Sequence, residues 1–297
     1  MKIKESKGRR VFIAVNYLFV GIVTISCIIP IINVLATSFS SAQYINAGSV
    51  SLIPKGFTTA AYRFVLQNPK FWASVWVTVK RVLIGVPLNV IMSILIAYPL
   101  SKDEKQFPAR KYYSWFFVIT MIFSGGMVPT YILVNKLNLM DTVGALVLPT
   151  AVNVFNTLIL MNFMRGIPKP LEEACMLDGA GQFTILWKVF LPLSKPAIAT
   201  VTLFNLINHW NSWYDGLLYN NYVDHYPLQT YLQSMIQSVT DMNLLQTNIN
   251  DMMLRQSVTG RNLSAAQIFI SVIPILVIYP YLQKYFTSGL VMGSVKE

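Results

Sequence analysis

Apolar residues run in long stretches along this chain, and most of the charges are gathered between them. Runs at about 11–35, 74–100, 112–134, 144–164, 197–218 and 264–283 each approach the roughly 20 residues that a helix needs to cross a bilayer. Six such runs predict an all-α polytopic membrane protein of about six transmembrane helices, since backbone in lipid must satisfy its hydrogen bonds within the segment. Pro87, Pro129, Pro274 and Pro280 fall inside runs and read as kinks, which spanning helices tolerate. The first run exceeds the roughly 7–15 residues of a signal-peptide core, so it reads as an uncleaved helix. No internal repeat or low-complexity linker interrupts 1–297, which reads as a single transmembrane domain.

The stretch 165–196 separates two runs and cannot itself lie in lipid. It carries Arg165, Lys169, Glu172, Glu173, Asp178, Lys188 and Lys195, and a charge at bilayer depth costs about 2.5–3.5 kcal/mol on an insertion scale. Pro168 and Pro170 stop the preceding helix, yet Pro170 suits the first turn of a new one. Glu172 and Glu173 fall where the helix dipole favours acids, and Gly179 suits a left-handed end. Leu171, Ala174 and Cys175 are spaced to give this short helix one apolar face. A second helix is expected over 183–191, stopping at Pro192. The pattern predicts a helical hairpin held at the membrane surface, built to dock a soluble partner.

The other long polar segment is 219–262. Within it Pro227 opens a helical pattern that sets Leu228, Tyr231, Leu232, Met235 and Val239 on one face. That face needs cover, from the bundle or from an external partner. Asn262 or Ser264 is a candidate cap for the last helix, and Ser264 with Gln267 fits a capping box.

Composition agrees with the pattern: 54% of residues are hydrophobic and 12% charged. The net charge of +11 does not imply nucleic acid, because the basic residues punctuate apolar segments and form no stripe. With the N-terminus placed inside the cell, inner segments hold fifteen Lys and Arg and outer segments six, and only Lys80 and Arg81 fall within a span. That bias predicts both termini and the hairpin on the cytoplasmic side. Cys27 and Cys175, His209 and His225 match no disulfide framework and no familiar metal spacing, so no metal site is expected.

The most unusual intramembrane stretch is Asn208, His209, Trp210, Asn211, Ser212, Trp213, Tyr214 and Asp215. On a continuous helix His209 would share a face with Trp213, and Trp210 with Tyr214. Amides and aromatic rings together suit sugar hydroxyls and C–H faces, whereas an aromatic belt at the outer interface is the alternative. Asn153 and Asn156 could face the same space or bond between helices. Lys80 and Arg81 have two readings: a basic cavity wall for an anionic substrate, or anchors that snorkel to the interface. Gly125, Gly126 and Pro129 allow either a break or close packing.

The hairpin also carries a family resemblance. Glu173-Ala174-Cys175, Asp178-Gly179-Ala180, Leu191-Pro192 and Pro196 resemble the EAA loop of ABC-importer permeases, with Cys175 where alanine is usual. The resemblance implies that Glu172, Glu173, Ala174, Asp178, Gly179, Ala180, Leu191 and Pro192 couple to a cytoplasmic ATPase. Leu52-Ile53-Pro54-Lys55-Gly56-Phe57-Thr58 with Tyr62 is similar to a loop of the maltose-type sugar permeases. Phe123-Ser124-Gly125-Gly126-Met127-Val128-Pro129-Thr130 and 209–215 resemble a branch assigned to uronate-containing or complex oligosaccharides. The implied setting is a bacterial cell membrane. The implied partners are a second permease subunit, two ATPase subunits and an external solute-binding protein. The implied substrate is an oligosaccharide, and the tail 289–297 is implied to reach the ATPases. No G-x-x-x-x-G-K-[ST] loop is present, so ATP and Mg²⁺ belong on the partner ATPase and no cofactor on this chain. A secondary transporter would need ionisable groups deep in the spans and inverted repeats, and a membrane enzyme a base–nucleophile or metal cluster. Asp215, near an outer edge, is the one Asp or Glu within the six runs, and no base–nucleophile or metal constellation is found.

Overall fold

The computed structural model describes residues 7–242 and 258–294; side chains at 7, 236–242, 279 and 281–294 are outside the description. The parts of the N-terminal arm, the 219–262 loop and the C-terminal tail beyond those limits lie outside the described residues. Fifteen α-helical segments are described, and the residues cluster into two compact units, 1–68 with 234–272 and 69–233 with 273–297. Three helices are long and apolar enough to cross a membrane, Gly8–Ser38, Pro69–Ser101 and Gly260–Ile278. Three bent helix pairs bring the number of described spans to as many as six.

In the first unit, α1 (Lys7–Ser38) exposes Phe12, Leu18, Ile22 and Ile25 along its length, as a lipid-facing helix should. Its end is held by the following loop, with α2 (Ala42–Asn46) and α3 (Ala60–Gln67). Phe39 stacks on Phe57 and on Tyr62, Ser38 Oγ lies 2.8 Å from the Tyr62 hydroxyl, and Asn262 donates to the Ser40 carbonyl at 3.2 Å.

The second unit is built around α4 (Pro69–Ser101), which starts five residues earlier than its apolar run suggested and continues through Pro87. The third run is a broken span. Helices α5 (Arg110–Ile122) and α6 (Met127–Lys136) meet at 107°, across a break where Gly126 has φ +87°. Few residues other than glycine accept that backbone angle, and Pro129 in the first turn of α6 needs no amide partner. The fourth run also divides, into α7 (Val143–Val147) with a 3₁₀ turn Leu148–Thr150, and α8 (Val154–Arg165), bent by 49°.

The surface hairpin follows as α9 (Lys169–Leu177), with Gly179 at φ +76°, then α10 (Gln182–Ile185), a π-helical turn Leu186–Phe190 and α11 (Leu191–Leu193). Pro192 does not stop this segment as expected. It lies just after the wider turn, where the missing N–H breaks no regular α-helical ladder, and the bend falls at Ser194 before α12 (Lys195–Asn211). A short α13 (Tyr214–Tyr219) completes the fifth span. Ala97, Tyr98 and Leu100 of α4, Leu160 and Met164 of α8, Ile185 and Phe190, and Ala197 and Val201 of α12 form one buried cluster.

The helix predicted after Pro227 is α14 (Leu228–Met242), and its apolar positions Leu228, Tyr231 and Leu232 are buried by the protein itself. The last helix, α15, runs Gly260–Ser294. Of the two capping candidates, Asn262 takes part in the cap and Ser264 does not. Thr259 and Asn262 cap each other reciprocally, through Thr259 N to Asn262 Oδ1 at 2.7 Å and Asn262 N to Thr259 Oγ1 at 3.4 Å. Ser264 instead bonds back to the Gly260 carbonyl, and Gln267 donates to Met235 Sδ.

Candidate functional site

Within the second unit a cavity of about 510 Å³ opens between α4, α8 and α12. Of the residues expected along a substrate path, Arg81, Asn208, His209, Asn211, Trp213 and Tyr214 line it; Trp210 is buried elsewhere, and Lys80 does not line it. The face-sharing pairs do not form on one helix, because α12 ends at Asn211 and Ser212 takes an extended backbone before α13. That break turns Trp213 and Tyr214 into neighbours with rings edge to face at 5.5 Å. Asn89, Thr150 and Asn205 also line the cavity, and sequence reasoning missed them.

Lys80 and Arg81 part company because consecutive helical residues point about 100° apart. Lys80 is exposed, with Nζ 5.6 Å from the Trp76 ring centroid, a contact in keeping with an interfacial anchor. Arg81 lies twelve residues along α4, about 18 Å at the usual helical rise, and is 1% exposed. Its guanidinium grips both carboxylate oxygens of Asp215, with Nη1 to Oδ1 at 3.1 Å. Its Nε donates to His209 Nδ1 at 3.3 Å. Since arginine only donates, Nδ1 is the accepting nitrogen, so Nε2 carries the proton and donates to Asn89 Oδ1 at 3.0 Å. Asn89 Nδ2 in turn donates to the Thr150 carbonyl at 2.7 Å. Asp215 also accepts from Ser212 Oγ at 2.7 Å and from the Gly216 amide at 2.9 Å. One charge-balanced chain of hydrogen bonds therefore joins α4, the turn after α7 and the break between α12 and α13. The basic wall imagined for an anionic substrate is already neutralised.

The imidazole in this chain depends on Gly85. A Cβ there would lie 2.6 Å from His209 Nε2 and 2.7 Å from Cε1. Gly85→Ala is expected to push the ring off both partners, cutting uptake severely while the long α4 still inserts. Wild-type uptake by this variant, measured at equal membrane levels, would remove His209 from the working site.

Asn153 and Asn156 meet both expectations, one each. Asn153 caps α8 by accepting from the Asn156 amide at 3.1 Å and lines the cavity, while Asn156 Nδ2 bonds across to Asn205 Oδ1 at 2.8 Å.

On the hairpin, the acidic pair divides. Glu172 is buried and accepts from Lys102 Nζ at 2.7 Å and from Gln106 Nε2 at 3.3 Å. Lys102 Nζ also lies 4.1 Å from the centroids of both Tyr98 and Phe190. Burial pushes the Lys102 ammonium below its ordinary pKa, while the hydrogen bond and charge of Glu172 pull it back up. Lys169 pairs with Asp103 at the surface, which lowers the Asp103 pKa and raises that of Lys169. The apolar face expected from Leu171, Ala174 and Cys175 is split: only Cys175 packs on the core, and Leu171 and Ala174 are exposed. The ion pair of Glu172 with Lys102 fixes which side of α9 meets the core. Ala180 and Leu191 pack against the core; Glu173, Asp178, Gly179 and Pro192 face outward, as do Leu177, Phe183 and Trp187.

A multi-span helical chain with a polar cavity among its spans and a structured, charged hairpin between two of them is a membrane transport protein. Residues 52–292 match the family of binding-protein-dependent transport system inner membrane components, and the chain belongs to that family. Protein LplC of Bacillus subtilis is 37% identical over 98% of this chain and 97% of its own length. The polygalacturonan/rhamnogalacturonan transport system permease protein YtcP of the same organism is 36% identical over 97% of this chain and 99% of its own. Among solved structures, a chain of a bacterial ABC transporter involved in the import of the acidic polysaccharide alginate is 32% identical with a TM-score of 0.84. That match covers 96% of this chain and all of the other. The chain is thus a multi-pass permease component of an ABC-type importer.

Proposed function

We propose that this permease carries an oligosaccharide, handed over by an external solute-binding protein, through the cavity beside α4. It does so as one of two different permease subunits above two cytoplasmic ATPases. ATP and Mg²⁺ are held by those ATPases, and both termini of this chain face the cytoplasm, as the distribution of basic residues favours. The cavity lining carries the reading: five asparagines, with Trp213 and Tyr214, border one space within the spanning bundle. Amides exchange hydrogen bonds with hydroxyls in both directions, and aromatic rings cover the C–H faces of sugar rings. The similarity to a polygalacturonan/rhamnogalacturonan permease protein and to a chain of an ABC transporter involved in alginate import supports the same substrate class.

The exposed side of the hairpin is the surface for the ATPase. Glu173, Asp178, Leu177 and Trp187 face outward, while Glu172 fastens the helix to its own chain. Closure of the ATPases would push α9, and the pinned helix would pass that displacement to the end of α4.

Trp213→Ala tests the path. Loss of the ring should reduce uptake by about two- to tenfold, given about 0.5–1.5 kcal/mol for an aromatic contact. Assembly with ATPase and binding protein should be unchanged. Normal uptake of radiolabelled oligosaccharide by this variant would reject the path along the fifth span.

A further inference from the structure

Asn156 controls the direction in which two cavity amides point. Its backbone N–H donates to Asn153 Oδ1 at 3.1 Å, and its side-chain Nδ2 donates to Asn205 Oδ1 at 2.8 Å. A backbone N–H only donates, so the Asn153 oxygen is the end that is engaged and the NH₂ is the end left over. At Asn205, 1% exposed, the same holds: its oxygen is engaged, and Nδ2 is buried without a protein partner. Both residues line the cavity. A buried donor left unmet is costly, and contents of the cavity that accept hydrogen bonds would recover that cost.

Two of the donors buried at the wall are already occupied, whereas the amides of Asn208 and Asn211 at its exposed side are equally able to accept. Arg81 is committed to Asp215 and His209, and Asn89 to the Thr150 carbonyl. We propose that Asn153 and Asn205 form an edge of the cavity that only donates, and that it receives the acceptor-only group of an acidic sugar, the uronate carboxylate. Recognition of the acid then runs through neutral amides and not through the buried arginine. Asn156 is a positioning residue that turns both amides.

The proposal rests on the oligosaccharide reading above, and its test separates the two. The complete transporter, with its partner permease, ATPases and binding protein, is assayed in proteoliposomes. Its probes are trigalacturonate and the same trisaccharide with its carboxyl groups reduced. Asn153→Asp keeps a good helix cap but replaces the outward NH₂ with oxygen, and Asn205→Asp keeps an acceptor for Asn156. Each should lower uptake of the acid by about tenfold and change the neutral sugar by about twofold or less. Asn153→Ser keeps a capping oxygen and adds no charge, so it isolates loss of the donor. It should reduce uptake of the acid about threefold more than uptake of the neutral sugar. Equal effects on the two sugars, or none, would overturn the donor edge while leaving the oligosaccharide reading intact. A wild-type assembly that imports neither sugar would overturn both.

Discussion

Arg81→Met is expected to lose most of the folded transporter. The substitution fits the helix but leaves the Asp215 carboxylate, 19% exposed, without its bidentate partner. Breaking a buried pair from one side costs about 3–5 kcal/mol, because the remaining charge stays desolvated. Replacing both partners, Arg81→Met with Asp215→Leu, removes the stranded charge and should recover part of the loss. Full recovery is not expected, since Asp215 also holds Ser212 Oγ and the Gly216 amide at the helix break. Arg81→Lys should fall between, keeping the charge and losing the fork. Thermal inactivation of the purified assembly and yield in the membrane measure all three. If Arg81→Met were as stable as wild type, the pair would not hold the fifth span.

Glu173→Lys should abolish uptake and weaken retention of the ATPase while leaving normal amounts of permease in the membrane. Glu173 is exposed on α9 beside the pinned Glu172, so reversing its charge leaves the chain's own packing intact. At a docking surface, juxtaposed like charges cost several kcal/mol. Gly179→Asp is the companion variant. Its Cβ would meet no atom, but the φ of +76° strains the new residue and alters the turn that presents the helix. Uptake and co-purified ATPase are the readouts. Unchanged transport in both variants would end the coupling assignment.

The apolar runs revealed the spans because the bilayer demands length and apolarity from every segment that crosses it. Their breaks were less readable. The residues Ser124, Gly125 and Gly126 suit close helix packing as well as a sharp turn, and only the backbone angle at Gly126 decides between them. Lys80 and Arg81 are adjacent in sequence yet differ completely in role, since helix phase depends on what packs against α4. Asp215 is 134 residues from Arg81, and no local pattern announces such a partner. The amide group around Asn156 did leave a trace: Asn153 and Asn156, like Asn205 and Asn208, stand three apart on their helices. Glu172 and Glu173 looked alike as first-turn acids. Only the Lys102 ammonium between two aromatic rings separates the anchor from the exposed neighbour.

The pairing of Arg81 with Asp215 has an electrical consequence. Arg81 is the one charged residue lining the described cavity, and its counter-ion travels with it. When the spans rock, this wall carries no net gating charge through the membrane field, so membrane voltage gains no direct hold on the opening of the cavity. An acidic cargo has no such protection. Each carboxylate moved toward a negative interior works against about 2.3 kcal/mol per 100 mV, and with a neutral wall that electrical work falls to ATP hydrolysis in proportion to the number of acid groups carried.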